Sequence, residues 1–128
     1  PLPPHRDTPP PWGYVFNALH AIASFTVQNP SLCFFGHTHW PPAFVRDDNV
    51  LRISTDHIQM SPGKKYFINA GSVGQPRDRD WRAAYCIYDS ERQVIEQRRV
   101  EYDLATTQRK IRAAGLPERL ADRLAQGR

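Results

Sequence analysis

Lysine is scarce in this chain: of seventeen basic residues only Lys64, Lys65 and Lys110 are lysines, and the rest are arginines. The net charge of +4 is scattered along the sequence, and arginines do not interleave with aromatic residues on one predicted face. That argues against a nucleic-acid groove. No apolar run approaches the roughly 18 to 20 residues of a membrane span. The start, Pro1-Leu2-Pro3-Pro4, has neither an initiator Met nor a signal-like apolar segment, so a soluble chain with no membrane partner is expected, a piece of something longer. Cysteine is equally sparse. Cys33 and Cys86 each sit within an apolar run, where a thiol behaves as a small buried hydrophobe rather than half of a disulfide, which fits a reducing cytoplasm. Internal repeats are absent, as are low-complexity segments beyond a proline-rich start.

What is present points to a packed protein. Of its 128 residues 40% are apolar, with three Trp, six Phe and five Tyr, enough to build the core of a single domain over 1–128. Six of the twelve prolines fall within residues 1–11, which are therefore an extended loop or a truncated end. Val15, Ala18, Leu19, Ile22 and Phe25 recur at helical spacing until Asn29-Pro30 breaks the pattern. Leu32-Cys33-Phe34-Phe35 predicts a short strand buried on both faces. Ala43-Phe44-Val45 and Val50-Leu51-Arg52-Ile53 flank Asp47-Asp48-Asn49 as a hairpin. A strand follows the Pro62-Gly63 turn at Lys65-Tyr66-Phe67-Ile68-Asn69. Ala83 to Tyr88 is expected to pair with Val94 to Tyr102, which makes the middle of the chain antiparallel sheet. Residues 103–128 read as C-terminal helices: Asp103 caps one carrying Leu104 and Ile111, Gly115 ends it, and Pro117 opens another with Leu120 and Leu124.

The chemistry gathers in two loops. In "CFFGHTHWPP" two histidines stand one residue apart behind a glycine, where a predicted strand runs into prolines. In an extended chain residues two apart point the same way, so His37 and His39 can present both rings to one side. Neutral imidazole suits Zn, Mn, Fe, Ni or Cu, although two ligands alone do not make a site and such a pair is as readily surface or core. The second loop, 69–78, follows another apolar strand. Its Gly71 and Gly74 let backbone approach a ligand closely, and Arg77 can grip a phosphate oxygen or pair with Asp78 or Asp80. His20 reads as a boundary residue on the helix. His57, in a loop without partner spacing, is given no role.

Together "GHTH" and "INAGSVGQPRD" resemble the last metal motif of the calcineurin-like metallophosphoesterase superfamily and the stretch that follows it, in its bacterial predicted-phosphodiesterase branch. Ala70 stands where that stretch usually has Pro. The end of the chain, "RVEYDLATTQRKIRAAGLPERLADRL", is similar to the C-terminal tail of the branch. The resemblance implies an α/β fold, the C-terminal half of a four-layer αββα sandwich, with a mixed sheet and flanking helices. It implies a centre of two divalent metal ions (Mn, Fe, Zn or Ni) with an oxygen nucleophile poised between them, hydrolysing phosphomonoesters or phosphodiesters. His37 would bind one ion and His39 the other, with Thr38 a spacer whose hydroxyl braces the loop. Asn69 and Arg77 would bind substrate.

The same comparison exposes gaps. The family draws most ligands from Asp-x-His, Gly-Asp-x-x-Asp and Gly-Asn-His-[Asp/Glu] segments, the last with a proton-donating His, and none of these strings occurs here. The catalytic acid is therefore unknown. Arg6-Asp7 matches the end of a further ligand segment, with His5 an out-of-register substitute. The chain is expected to lack the N-terminal half of the site and to be inactive alone. The competing class is a non-catalytic fragment or interaction module that retains the fold's second sheet.

Overall fold

The structure, a computed structural model, describes residues 14–128. Pro1 to Pro11 and the candidate His5 lie outside the described residues. Helix α1 (Ala18–Val27) starts later than the apolar pattern because Asn17 caps it, its side chain accepting the His20 amide. The chain then alternates through β1 (Leu32–Phe35), β2 (Ala43–Arg46), β3 (Val50–Ile53), β4 (His57–Gln59), β5 (Lys65–Asn69), β6 (Ala83–Asp89) and β7 (Val94–Val100). Helices α2 (Leu104–Ala113) and α3 (Glu118–Asp122) and a 3-10 turn (Arg123–Gln126) complete it. Asp103 caps α2 through the Thr106 amide and Gly115 ends it in the left-handed region, as the residue types require. Among the described residues no helix is long and apolar enough to cross a membrane.

Two sheets form, in the orders β1-β5-β2-β3 and β4-β7-β6. Residues of the first alternate strictly between two cores. Ala43, Tyr66 and Ile68 face Ile58, Met60 and Ile95 of the second sheet and the chain leading from it. Phe44 and Phe67, one residue out of step, meet Val15, Ala21 and Phe25 around α1. The layers therefore run helix, sheet, sheet, as expected for half of a four-layer αββα sandwich.

The first sheet is mixed, as expected, since β1 pairs with β5 in parallel and β2 with β5 in antiparallel. Two expectations change. The strand buried on both faces is β5, whose Tyr66, Phe67, Ile68 and Asn69 are all buried, and not β1. Among the described residues β1 is an edge strand, so Phe34 stays 46% exposed. Finally, His57 opens β4 rather than lying in a loop, paired opposite Glu96 of β7 with its Nδ1 3.8 Å from that carboxylate. A three-residue strand is too short to show in an alternation count.

Candidate functional site

The parallel pairing of β1 and β5 makes the site. Because Leu32 lies beside Tyr66 and Phe35 beside Asn69, both strands finish at one level and both loops emerge together. Antiparallel strands would have sent them to opposite ends. The sheet order then makes the first loop cross over the end of β5 to reach β2, with Asn69 beneath it.

His37 and His39 do not sit in extended chain, so the alternation argument for their common direction fails. Both have left-handed backbone, with φ of 78° and 59°. For a non-glycine residue this costs on the order of 1 to 3 kcal/mol and persists only where the surroundings enforce it. Here Thr38, between them and only 2% exposed, donates from its hydroxyl to the Trp40 carbonyl (2.9 Å) and accepts the Asn69 side-chain N–H (3.0 Å). The Asn69 amide also reaches the Gly36 carbonyl at 3.3 Å and accepts the Gly71 N–H at 2.8 Å. Asn69 is fully buried, so its side chain braces both loops.

The loops are tied again through main chain. The Arg77 N–H donates to the His39 carbonyl (3.0 Å), and His39 Nδ1 lies 2.9 Å from the Gln75 carbonyl. A carbonyl can only accept, so Nδ1 carries the proton and Nε2 is left as the lone-pair nitrogen. His37 is exposed and stacks on the Tyr14 ring, with centroids 4.1 Å apart and planes at 20°. Gln97 of β7 donates to the Pro41 and Asn69 carbonyls at 3.3 and 2.9 Å, so the second sheet supports the same loops.

Of the two glycines, Gly74 has open space around it but Gly71 does something other than expected. Gly71, at φ 84°, approaches protein rather than an open ligand surface: a Cβ there would stand 2.5 Å from that of Ala84 and 3.3 Å from that of Pro41. The Arg77 guanidinium is exposed and is held by the Gln75 side chain at 3.2 Å. Asp78 pairs instead with Arg99, and Asp80 with Arg82 at 2.6 Å. His20 accepts a long 3.5 Å bond from the Phe16 amide at the start of α1.

The fold has a solved counterpart. The crystal structure of a metallophosphoesterase from Sphaerobacter thermophilus superposes with a TM-score of 0.84 at 44% sequence identity over 91% of this chain. The chain has the fold of a metallophosphoesterase over about half of that protein's length. An uncharacterized protein of Methanocaldococcus jannaschii is 45% identical over 97 residues, 76% of this chain. The chain covers 50% of the Sphaerobacter structure and 40% of the Methanocaldococcus protein. No protein-family model matches it.

Metallophosphoesterases use divalent ions, and the donor chemistry here fits one edge of such a centre: an imidazole with its Nε2 free and a second, exposed imidazole two residues away. Among the described residues no group of three or more His, Cys, Asp or Glu side chains could hold a metal ion. Gln75, Gln97 and Tyr14 went unseen as site residues in the sequence. Gln75 lies inside the recognised motif, but neither Gln97 nor Tyr14 carries any local signal, because its contact is made across the fold.

Proposed function

We propose that this chain supplies the histidine edge of a two-metal phosphoesterase centre that hydrolyses phosphomonoesters or phosphodiesters. The observation that carries the reading is His39, whose ring is oriented by the Gln75 carbonyl so that Nε2 is the nitrogen left to bind a cation. When bound, a pair of divalent ions (Mn, Fe, Zn or Ni) would supply Lewis-acid activation and neutralise charge on a transferring phosphoryl group.

The chain's own residues do the positioning. Thr38 and Asn69 hold the loop in its left-handed form. His37 is the proposed donor to the second ion, its ring backed by Tyr14. Arg77, anchored beside His39 through the main chain, offers two parallel N–H donors to phosphate, so Arg77→Lys is expected to weaken inhibition by free phosphate. The remaining ligands, and the acid that protonates the leaving group, belong on this reading to a second half of the domain. Its proposed seat is the open edge of β1, where Phe34 and Tyr88 leave apolar surface exposed.

Turnover of a chromogenic phosphodiester tests this. The chain alone with excess Mn²⁺ is expected to be inactive, since one histidine per ion cannot hold it and the acid is missing, which by itself costs about 10² to 10⁴ in rate. Adding the complementary half of a metallophosphoesterase domain should restore activity, and His39→Ala should abolish it. Continued silence with that half bound would favour a non-catalytic module. Metal-dependent turnover by the chain alone, lost in His37→Ala, would overturn the division of ligands.

A further inference from the structure

Beside the histidine loop lies a pocket of about 280 Å³ that the reading above does not use. Trp40, Pro41 and Ala70 of the two site loops form one wall, and β3, β6 and β7 form the others. Its size suits one substituent of a substrate rather than a whole molecule.

Charge accounting identifies what that substituent is. Four guanidinium groups line the pocket, those of Arg52, Arg82, Arg98 and Arg99. Three are neutralised: Arg82 grips Asp80 through Nη2 at 2.6 Å and Nε at 3.0 Å, Arg98 holds Glu96 through Nε at 2.8 Å, and Arg99 is paired with Asp78. Arg52 has no carboxylate partner among the described residues and instead lies over the Trp40 ring, 4.6 Å from its centroid. A guanidinium stacked on an indole is held in orientation while its N–H edges remain free, the geometry that takes an oxyanion in a two-pronged way. Asp56 also lines the pocket and makes no ion pair among the described residues, so it is left to accept hydrogen bonds. Among the described residues the charges left unpaired in this pocket are one cation and one carboxylate.

We infer that this pocket binds a phosphorylated substituent of the substrate, remote from the phosphorus attacked, with Arg52 taking its phosphate and Asp56 a neighbouring hydroxyl or amino donor. The substrate class is then a phosphoester whose leaving or retained part carries a second phosphate on a hydroxylated unit, such as a sugar phosphate. The inference rests on the phosphoesterase reading for the reaction but not for the binding, so its test needs neither metal nor turnover.

Ribose 5-phosphate is titrated into the chain in EDTA, followed by calorimetry and by the NMR signals of the Trp40 indole and the arginine side chains. Binding is expected to shift Trp40 and Arg52. Arg52→Ala should loosen it by about tenfold or more, whereas Arg98→Ala, which removes an already paired cation, should change it by less than about twofold. Asp56→Asn should weaken ribose 5-phosphate and not inorganic phosphate. Absence of binding, equal losses for the Arg52 and Arg98 variants, or shifts confined to Arg77 would overturn the assignment. Tighter binding in Asp56→Asn would overturn the role given to Asp56. None of these outcomes depends on whether the metal-loaded enzyme turns over.

Discussion

The histidine loop and the β6–β7 hairpin both place non-glycine residues in left-handed backbone beside a strand, and their side chains hold them in different ways. At the β6–β7 hairpin Gln93 has φ 54°, and its side chain bonds the Ser90 carbonyl and the Tyr88 hydroxyl, while Asp89 accepts the Glu91 and Arg92 amides. The side chains of the turn itself find all of these partners within five residues, although the Arg92 and Gln93 carbonyls also accept from Gln59 and Met60. At the histidine loop the partners of Thr38, His39 and Pro41 lie 31, 36 and 56 residues away. A turn satisfied by its neighbours needs only to reverse the chain. A turn whose strain is opposed by distant side chains is being held in one shape, as a site with fixed donors requires.

The comparison would break most sharply at Asn69. Asn69→Ala removes three hydrogen bonds and leaves buried groups unpaired, so chemical denaturation should show a loss of about 3 to 4 kcal/mol. Gly71→Ala comes next, at about 2 to 3 kcal/mol, from left-handed backbone combined with overpacking against Ala84; a neutral result would mean that the Pro41 and Ala84 wall yields easily. Thr38→Val keeps the shape but takes one acceptor from the Asn69 amide and the Trp40 N–H, and about 2 kcal/mol is expected, read by the same unfolding curve. At the other turn Asp89→Ala should cost under about 1 kcal/mol, because both amides it serves are exposed to water. If Asp89→Ala proved as damaging as Thr38→Val, the distinction between a locally and a distantly held turn would fail.

Much of the fold was legible. The boundaries of β5, the hairpins, and the caps at Asp103 and Gly115 follow from residue types that act within a few positions of themselves. His37, His39 and the 69–78 loop were singled out as a pair, and the structure brings them together through the Arg77 to His39 bond. What was misread depended on neighbours that no local pattern names. Gly71 was expected to open space for a ligand but yields to Ala84 and Pro41, and β1 was expected to be buried on both faces where β5 is instead.

Continuous apolar runs in β2 and β5 by themselves determined that a sheet would be covered on both faces, because period-two spacing commits successive side chains to opposite sides. The Gly-His-Thr-His string likewise determined the chemistry on offer, since imidazole pairs suit divalent cations wherever they are placed. Only the tertiary structure decided that β1 and β5 run parallel with Phe35 beside Asn69, and hence that the two loops share an end. It also decided which nitrogen of His39 is free and which arginine of the neighbouring pocket lacks a carboxylate. Strand direction, ring tautomer and ion pairing are set by partners tens of residues away, whose energies enter only when the chain has folded around them.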